Sequence, residues 1–166
     1  MGVELDLIVG LGTPEPQHLV TRHNAGFWFA DLVARAAGAQ FRRHKQFHGD
    51  ICEVEIAGRR LRVLKPMTYM NDSGRAVGAL TGYFHVPAER VLVAYDEIDL
   101  APGRAKLKFD GSSAGHKGIA SIATVIGTGF WRVRLGVGHP GPGRHDAVLR
   151  HVLQRPSAAD EQAILG

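Results

Sequence analysis

The sequence lacks the features that would tie it to a membrane or to disulfide chemistry. Cys52 is its single cysteine, which excludes an intramolecular disulfide and a zinc site built from several cysteines. No apolar run is long enough to cross a bilayer. The first residues, Met1-Gly2-Val3-Glu4, carry an acid where a signal peptide carries bases. These absences predict a cytoplasmic protein with no membrane partner.

The sequence also has little excess of either charge. Its 20 lysines and arginines stand against 16 acidic residues, which gives a net charge of +4 with histidine neutral. A solvated surface of mixed sign and a partner that carries phosphates fit this value equally well. Hydrophobic residues make up 45% of the 166 positions, which is enough for a real core. We therefore assign residues 1–166 to a single domain.

Strands and helices are predicted to alternate along the chain, with one β-hairpin inserted. Buried or alternating apolar runs predict strands over 7–11, 51–56, 61–64, 91–95, 104–109 and 131–137. Helical apolar spacing predicts helices over 27–37, 73–84, 119–126 and 147–153. Ser73 is expected to cap the second helix. This order predicts an α/β fold with a twisted, mixed, mostly parallel sheet and helices on both faces.

Polar side chains near the ends of these elements are candidates for a hydrolytic site. His23 lies in a polar turn between the first strand and the first helix, where an imidazole can act as a general base near neutral pH. Asn71 precedes the second helix, and Asp96 follows the strand over 91–95. Ligands of open sheets bind beyond the carboxyl ends of the strands, so we expect one cleft to collect such groups. A base, a carboxylate that orients it and an amide that holds a carbonyl would together form a hydrolytic site.

Two short patterns have simpler explanations than a cofactor or a metal. Gly10-Leu11-Gly12 begins like a dinucleotide-binding fingerprint but lacks its third glycine, so we interpret it as a tight turn. His44 and His48 have the i, i+4 spacing of a metal-binding pair, but no third ligand is suggested nearby. We expect both histidines to face solvent, and we expect Cys52 to behave as a small buried apolar residue.

A third pattern leaves an alternative open. Gly111-Ser112-Ser113-Ala114-Gly115 matches the nucleophile elbow of α/β-hydrolases, in which Ser113 would attack the substrate. Asp146 and His151 lie downstream in the order that those enzymes use. The chain is short for that fold, and a flexible loop matches the pattern easily. An esterase that acts on small molecules through Ser113 is one alternative.

Two predicted strands alternate basic with apolar residues. Lys106 and Lys108 lie on one strand, and Arg132 and Arg134 lie on the other. A period of two places the basic side chains of each strand on one face. Such a face binds phosphates or is simply solvated, and adjacency of the two strands would favour phosphate binding.

Taken together, these segments resemble the bacterial peptidyl-tRNA hydrolase family. The similarity runs from Leu7 to about Pro156, and several separate blocks in the same order carry it. The blocks are Ile8-Val9-Gly10-Leu11-Gly12, Thr21-Arg22-His23-Asn24-Ala25-Gly26, Lys65-Pro66-Met67-Thr68-Tyr69-Met70-Asn71, Asp96-Glu97-Ile98-Asp99-Leu100, Gly115-His116-Lys117-Gly118 and Arg134-Leu135-Gly136-Val137-Gly138-His139-Pro140. The resemblance implies a monomeric α/β esterase that frees tRNA from peptides, with no metal and no organic cofactor.

The resemblance also implies a role for each site residue. His23 would take a proton from the attacking water, and Asp96 would hold the imidazole in the useful tautomer. Asn71 would donate its amide to the substrate or to the developing oxyanion. The substrate-binding positions would be Thr13, Tyr69, Asn71, His116 and Lys117, with His116 at the cleft edge near the 3′ end of the tRNA. The tRNA phosphates would bind to Lys106, Lys108 and Arg134.

This chain departs from the family pattern at three places. Thr13 and Glu15 stand where the family has Asn and Gly, so the Thr13 contact with substrate is expected to be weaker. Lys117 replaces an Asn and adds a positive charge that would disfavour an imidazolium at His23. The family continues into a further helix, so the C-terminal helix is expected to be shortened or missing. A catalytically weak or inactive tRNA-binding relative therefore remains a second alternative.

Overall fold

The structure, a computed structural model, describes residues 4–14, 24–97, 100–101 and 104–136. Within those ranges the chain forms seven β-strands and three α-helices. In chain order they are β1 (Leu7–Gly10), α1 (Ala25–Ala36), β2 (Arg42–His44), β3 (Gly49–Ile56), β4 (Arg59–Pro66), α2 (Ser73–Phe84), β5 (Val91–Glu97), β6 (Ala105–Phe109), α3 (Lys117–Ile126) and β7 (Trp131–Gly136).

The strands form one sheet in the order β2-β3-β4-β1-β5-β7-β6. Its centre is parallel, because β1 pairs with β4 and β5, and β5 pairs with β7, all in the same direction. The antiparallel pairs lie toward the two ends, where the β3–β4 hairpin continues into β2 and where β6 runs beside β7. The predicted mixed sheet is confirmed, and the carboxyl ends of its four parallel strands meet at one edge.

Helices cover both faces of the sheet, which is why the central strands are apolar without alternation. On one face, α1 packs through Phe29 and Val33 against Ile8, Val63 and other strand residues. On the other face, α2 and α3 pack through side chains such as Leu80 and Ile122. Successive side chains of β5, from Val91 to Tyr95, pack alternately into the two cores on opposite faces of the sheet, so these five residues are all buried.

The structure corrects two local predictions and adds one strand. Ser73 is not a cap but the first residue of α2, and its buried hydroxyl donates to the carbonyl of Met70 at 2.8 Å. Asp96 does not follow its strand but belongs to it, because β7 continues alongside and pairs Leu135 with Asp96. The short strand β2 was not predicted, since Arg42-Arg43-His44 is polar and acquires its extended form by pairing with β3.

Other predictions have clear outcomes. Cys52 is 6% exposed inside β3, as expected of a small apolar residue, and burial raises the pKa of its thiol to about 11. The predicted helix over 147–153 lies outside the described residues, so the single-domain boundary at 166 stays a prediction. No helix within the described ranges is long and apolar enough to span a membrane.

Helix α1 approaches the sheet so closely that glycine is required at the contact. A Cβ on Gly26 would collide with the carbonyl oxygen of Ala94 in β5 and with the backbone of Leu11 after β1. The same contact is closed by backbone hydrogen bonds from Leu11 N to Ala94 O at 3.0 Å and from Phe27 N to Leu11 O at 3.1 Å. The start of α1 is therefore fixed at the carboxyl ends of β1 and β5.

We expect Gly26→Ala to lower the free energy of unfolding by about 1 to 3 kcal/mol, because backbone atoms must move to admit the methyl group. Gly82→Ala is the matched control, since Gly82 lies in α2 with no atom within 4 Å of its added Cβ. Alanine there should stabilise the protein by up to about 1 kcal/mol through helix propensity. Urea unfolding of both variants measures the difference, and equal stabilities would contradict the proposed close contact.

Candidate active site

A cavity of about 410 Å³ opens at the carboxyl edge of the sheet. Its wall is formed by the residue after the β1 turn, the end of β5, the loop before α3 and the start of α3. The polar residues in the wall are Thr13, Tyr95, Asp96, Glu97, Ser113, His116 and Lys117, and Met70 adds an apolar side. The cleft that the sequence predicted beyond the strand ends is present, at the position that open α/β sheets use for ligands.

Asp96 and His116 form a hydrogen-bonded pair in this wall. Asp96 Oδ1 lies 2.9 Å from His116 Nε2, and the two side chains are only 5% and 12% exposed. The second ring nitrogen of His116, Nδ1, accepts the backbone N–H groups of Gly118 and Ile119 at 3.1 and 3.3 Å. His116 is therefore the N-cap of α3 as well as the partner of the carboxylate.

The ring of His116 is also held by an aromatic neighbour. Tyr95 contacts it edge to face, with ring centroids 4.8 Å apart and planes at 68°. Burial raises the pKa of the Tyr95 phenol, although the nearby Arg134 and Arg132 act in the opposite direction. The phenol thus stays neutral near pH 7, and Tyr95 contributes a rigid wall rather than a charge.

The loop over 110–115 brings His116 to Asp96 and depends on unusual backbone conformations. Asp110, Gly111, Ala114 and Gly115 all have positive φ, at 66°, 108°, 49° and 85°. The Asp110 carboxylate accepts the Gly111 amide at 2.7 Å. A hydrogen bond with the Thr128 side chain, together with this amide, lowers the pKa of Asp110.

The side chain of Arg132, on strand β7, binds this loop through hydrogen bonds. It is only 1% exposed, and its guanidinium donates to the carbonyls of Gly111 at 2.9 Å, Ser112 at 3.3 Å and Thr128 at 3.0 Å. It also lies over the Phe130 ring at 4.1 Å. Sequence periodicity predicted that Arg132 belongs to a basic face that binds phosphates or faces water. The structure corrects this prediction, because Arg132 is buried and supports the loop before α3.

The other basic residues of that face are arranged as the periodicity predicted. Strands β6 and β7 are adjacent, and Lys106 pairs in register with Arg134 and Lys108 with Arg132. Lys106 and Lys108 are exposed on the edge strand. Arg134 is largely buried, and its Nε donates to Glu97 Oε1 at 3.2 Å. Lys106 and Lys108 are therefore accessible to a phosphate, while Arg134 already forms an ion pair with Glu97 in the cavity wall.

Asn24 is a site residue whose function the sequence did not indicate by itself. Its side chain is 1% exposed, and Oδ1 accepts the backbone N–H of Thr13 at 2.7 Å. An Asn before a helix predicts an N-cap, but this side chain makes no cap bond to α1. Asn24 instead fixes the backbone of Thr13 in the cavity wall. In the sequence Asn24 directly follows His23.

The structure separates the other predicted site residues by location. Asn71 lies in a 3₁₀ turn (Met70–Asp72) and faces a groove between α2 and α3, which shares Lys117 with the cavity. Tyr69 is 72% exposed and lines a further groove toward Arg43. His23 lies outside the described residues, as do Asp146 and His151. Thr13, Asp96, His116 and Lys117 thus share one cavity, which Ser113 of the alternative site also lines.

His44 and His48, the two histidines with the spacing of a metal-binding pair, are arranged differently from the prediction. The expected exposure of His48 is observed, while His44 at the end of β2 is half-buried. A short 3₁₀ turn (Lys45–Phe47) separates them, so the helical spacing that suggested a metal pair does not apply. Within the ranges that the structure describes, no three His, Cys, Asp or Glu residues are grouped to hold a metal ion.

The fold and this cavity define an α/β protein with a carboxylate–imidazole pair at the edge of its sheet. A family model described as peptidyl-tRNA hydrolase matches residues 7–165. The chain is 52% identical over 152 residues to the peptidyl-tRNA hydrolase of Halorhodospira halophila, covering 91% of this chain and 77% of that one. The enzyme of Variovorax paradoxus is 45% identical over 161 residues, with 96% and 76% covered.

Solved structures agree with these relatives. The crystal structure of peptidyl-tRNA hydrolase from Acinetobacter baumannii superposes with a TM-score of 0.79 at 37% identity, covering 99% of this chain and 82% of that one. The chain belongs to the peptidyl-tRNA hydrolase family. The resemblance that the sequence blocks indicated is thereby confirmed.

We expect Arg132→Met to loosen the loop that leads to His116. Hydrogen bonds from a charged group contribute about 1.5 to 3 kcal/mol each, so amides 111–116 should exchange with deuterium at least about tenfold faster. Lys106→Met is the matched control, because Lys106 is an exposed lysine of the neighbouring strand β6 that pairs in register with Arg134. If both variants exchange like the wild type in this loop, Arg132 is not its support.

Proposed function

We propose that this chain hydrolyses the ester bond between tRNA and a peptide or an N-blocked amino acid, so that the tRNA is recycled. The proposal rests on membership of the peptidyl-tRNA hydrolase family and on the names of its close relatives. The observation that carries it is the placement of Asp96, which is 6% exposed in the wall of the carboxyl-edge cavity. A carboxylate so placed can orient and polarise an imidazole base.

His23 is the base in this proposal. It removes a proton from a water molecule while the oxygen of that water attacks the ester carbonyl. Asp96 favours the tautomer of His23 that accepts the proton and stabilises the imidazolium that results. The proton then passes to the 3′ oxygen of the tRNA as the ester bond breaks, which yields a free tRNA and a peptide carboxylic acid. A positioned base contributes about 10²- to 10⁴-fold to such a rate.

The remaining site residues bind and orient the substrate. Asn71 donates its amide to the substrate or the oxyanion, and Thr13, Tyr69, His116 and Lys117 contact the end of the tRNA and the peptide. Lys106, Lys108 and Arg134 meet phosphates of the acceptor stem. Such contacts add affinity without reading sequence, and they weaken with salt. We further propose that the protein acts in the cytoplasm as a monomer, without a metal or an organic cofactor.

Replacing the base tests the proposal directly. We expect wild-type protein to cleave N-acetyl-aminoacyl-tRNA and His23→Ala to lose at least about 10²-fold in kcat, because a general base is removed. Tight tRNA binding without turnover by the wild type would support the inactive tRNA-binding relative instead. Labelling of Ser113 by a fluorophosphonate would support the esterase. Ser113 lines the cavity, but the neighbouring His116 ring engages both of its nitrogens with other groups and is therefore not a base for Ser113.

Lys117 sets the electrostatics of the cleft. It is exposed at the first residue of α3 and lines both the cavity and the groove of Asn71. Because a nearby positive charge disfavours an imidazolium, we expect Lys117→Asn to raise the rate of ester cleavage. Arg35→Gln removes a positive charge from the exposed last turn of α1, at the end of the helix away from the cavity, and should leave kcat unchanged. An unchanged or lower rate in Lys117→Asn would contradict this assignment of Lys117.

A further inference from the structure

We infer that His116 is a positioning residue that ties the carboxylate of Asp96 to the N terminus of α3. The inference rests on the proposed function, because it concerns the acid that orients the base. It gives His116 a task beyond the substrate contact that the family resemblance implies. One imidazole joins three backbone or side-chain partners from two separate elements, β5 and α3.

The hydrogen bonds determine which ring nitrogen of His116 carries the proton. Nδ1 faces two backbone donors, the N–H groups of Gly118 and Ile119, so it must supply a lone pair. In the neutral ring the proton is then on Nε2, and this N–H donates to Asp96 Oδ1 at 2.9 Å. The helix start thus selects the tautomer that binds the carboxylate.

The position of α3 is itself tightly constrained, so the support is rigid. A Cβ on Gly118 would lie 2.7 Å from the sulfur of Met70 and 2.8 Å from Cδ1 of Leu11. The first turn of α3 therefore packs directly on the β1 turn and on the 3₁₀ turn before α2. Tyr95 closes one side of the ring, which leaves His116 little room to rotate.

This arrangement fixes the direction of the Asp96 carboxylate. With Oδ1 held by Nε2–H, rotation about the side chain is restricted, and the orientation of Oδ2 follows. Displacements of about 1 Å among reacting groups can cost on the order of 100-fold in rate, so a held acid matters for orienting the base. His116 does this without accepting a proton from the reaction, because both nitrogens are already engaged.

Two substitutions divide the functions of the ring. His116→Asn places an amide oxygen near the position of Nδ1, so it keeps a cap for α3 and loses the donor to Asp96. His116→Gln reaches the position of Nε2 with its amide nitrogen, so it keeps that donor and loses the cap. The pair separates a positioning effect from a general loss of stability.

We expect His116→Asn to unfold at a higher temperature than His116→Gln, while its kcat for N-acetyl-aminoacyl-tRNA falls on the order of 10- to 100-fold, a larger change than any rise in KM. Assayed below its own thermal midpoint, His116→Gln should keep a higher kcat than His116→Asn. Wild-type kcat in His116→Asn would overturn the inference. A rise confined to KM would overturn it too and would restore His116 to substrate binding alone.

A spectroscopic measurement separates this inference from the proposed function. In ¹⁵N-labelled wild-type protein near pH 7.5, His116 should show a protonated Nε2 and an unprotonated Nδ1, and the Nε2 proton signal should shift in Asp96→Asn. A protonated Nδ1, or an Nε2 proton signal that does not shift in Asp96→Asn, would overturn the inference even if the protein is an active hydrolase. Absence of turnover in the wild type with the expected signals would instead count against the proposed function.

Discussion

The contact of Gly26 with the backbones of Leu11 and Ala94 decides where the site is. Helix α1 touches the ends of β1 and β5 at a point where no side chain fits. Asp96 lies two residues beyond Ala94, and His23 lies three residues before Gly26 in the sequence. Packing of two parallel strands under one helix therefore fixes the position of Asp96 in the wall of the cavity before any polar contact contributes.

Charge on the β6–β7 face is divided between support and recognition. Arg132 and Lys108 are partners in register, yet Arg132 is covered by the loop over 110–115 and Lys108 is not. A buried guanidinium needs partners for its donors. Nη1 and Nη2 of Arg132 donate to the carbonyls of Gly111 and Ser112 in this loop and of Thr128 before β7, while Nε has no hydrogen-bond partner among the described residues. The same loop delivers His116 to Asp96. A residue that the sequence grouped with phosphate binding therefore shapes the cleft from inside the fold.

Two of the departures from the family pattern, Thr13 and Lys117, lie in the wall of the cavity. Thr13 offers a hydroxyl where the family has an amide, but its backbone is still fixed by Asn24. Lys117 begins α3, where the helix dipole already disfavours a cation. Its exposed side chain stands between the Asp96 cavity and the Asn71 groove. Thr13 and Lys117 thus change the hydrogen-bonding capacity and the charge of the cavity wall, while the backbone at Thr13 is held in place.

The sequence by itself determined the alternation of strands and helices, the buried central strands and the family, since apolar periodicity and ordered motif blocks are local properties. It placed Asp96 at the carboxyl edge because a polar residue at the end of an apolar strand has few other positions. Only the tertiary structure decided that Arg132 is internal, that Ser73 does not cap α2, and that His116 holds Asp96. These outcomes depend on which loop covers which strand, and such contacts between distant segments leave no periodic signal in the chain.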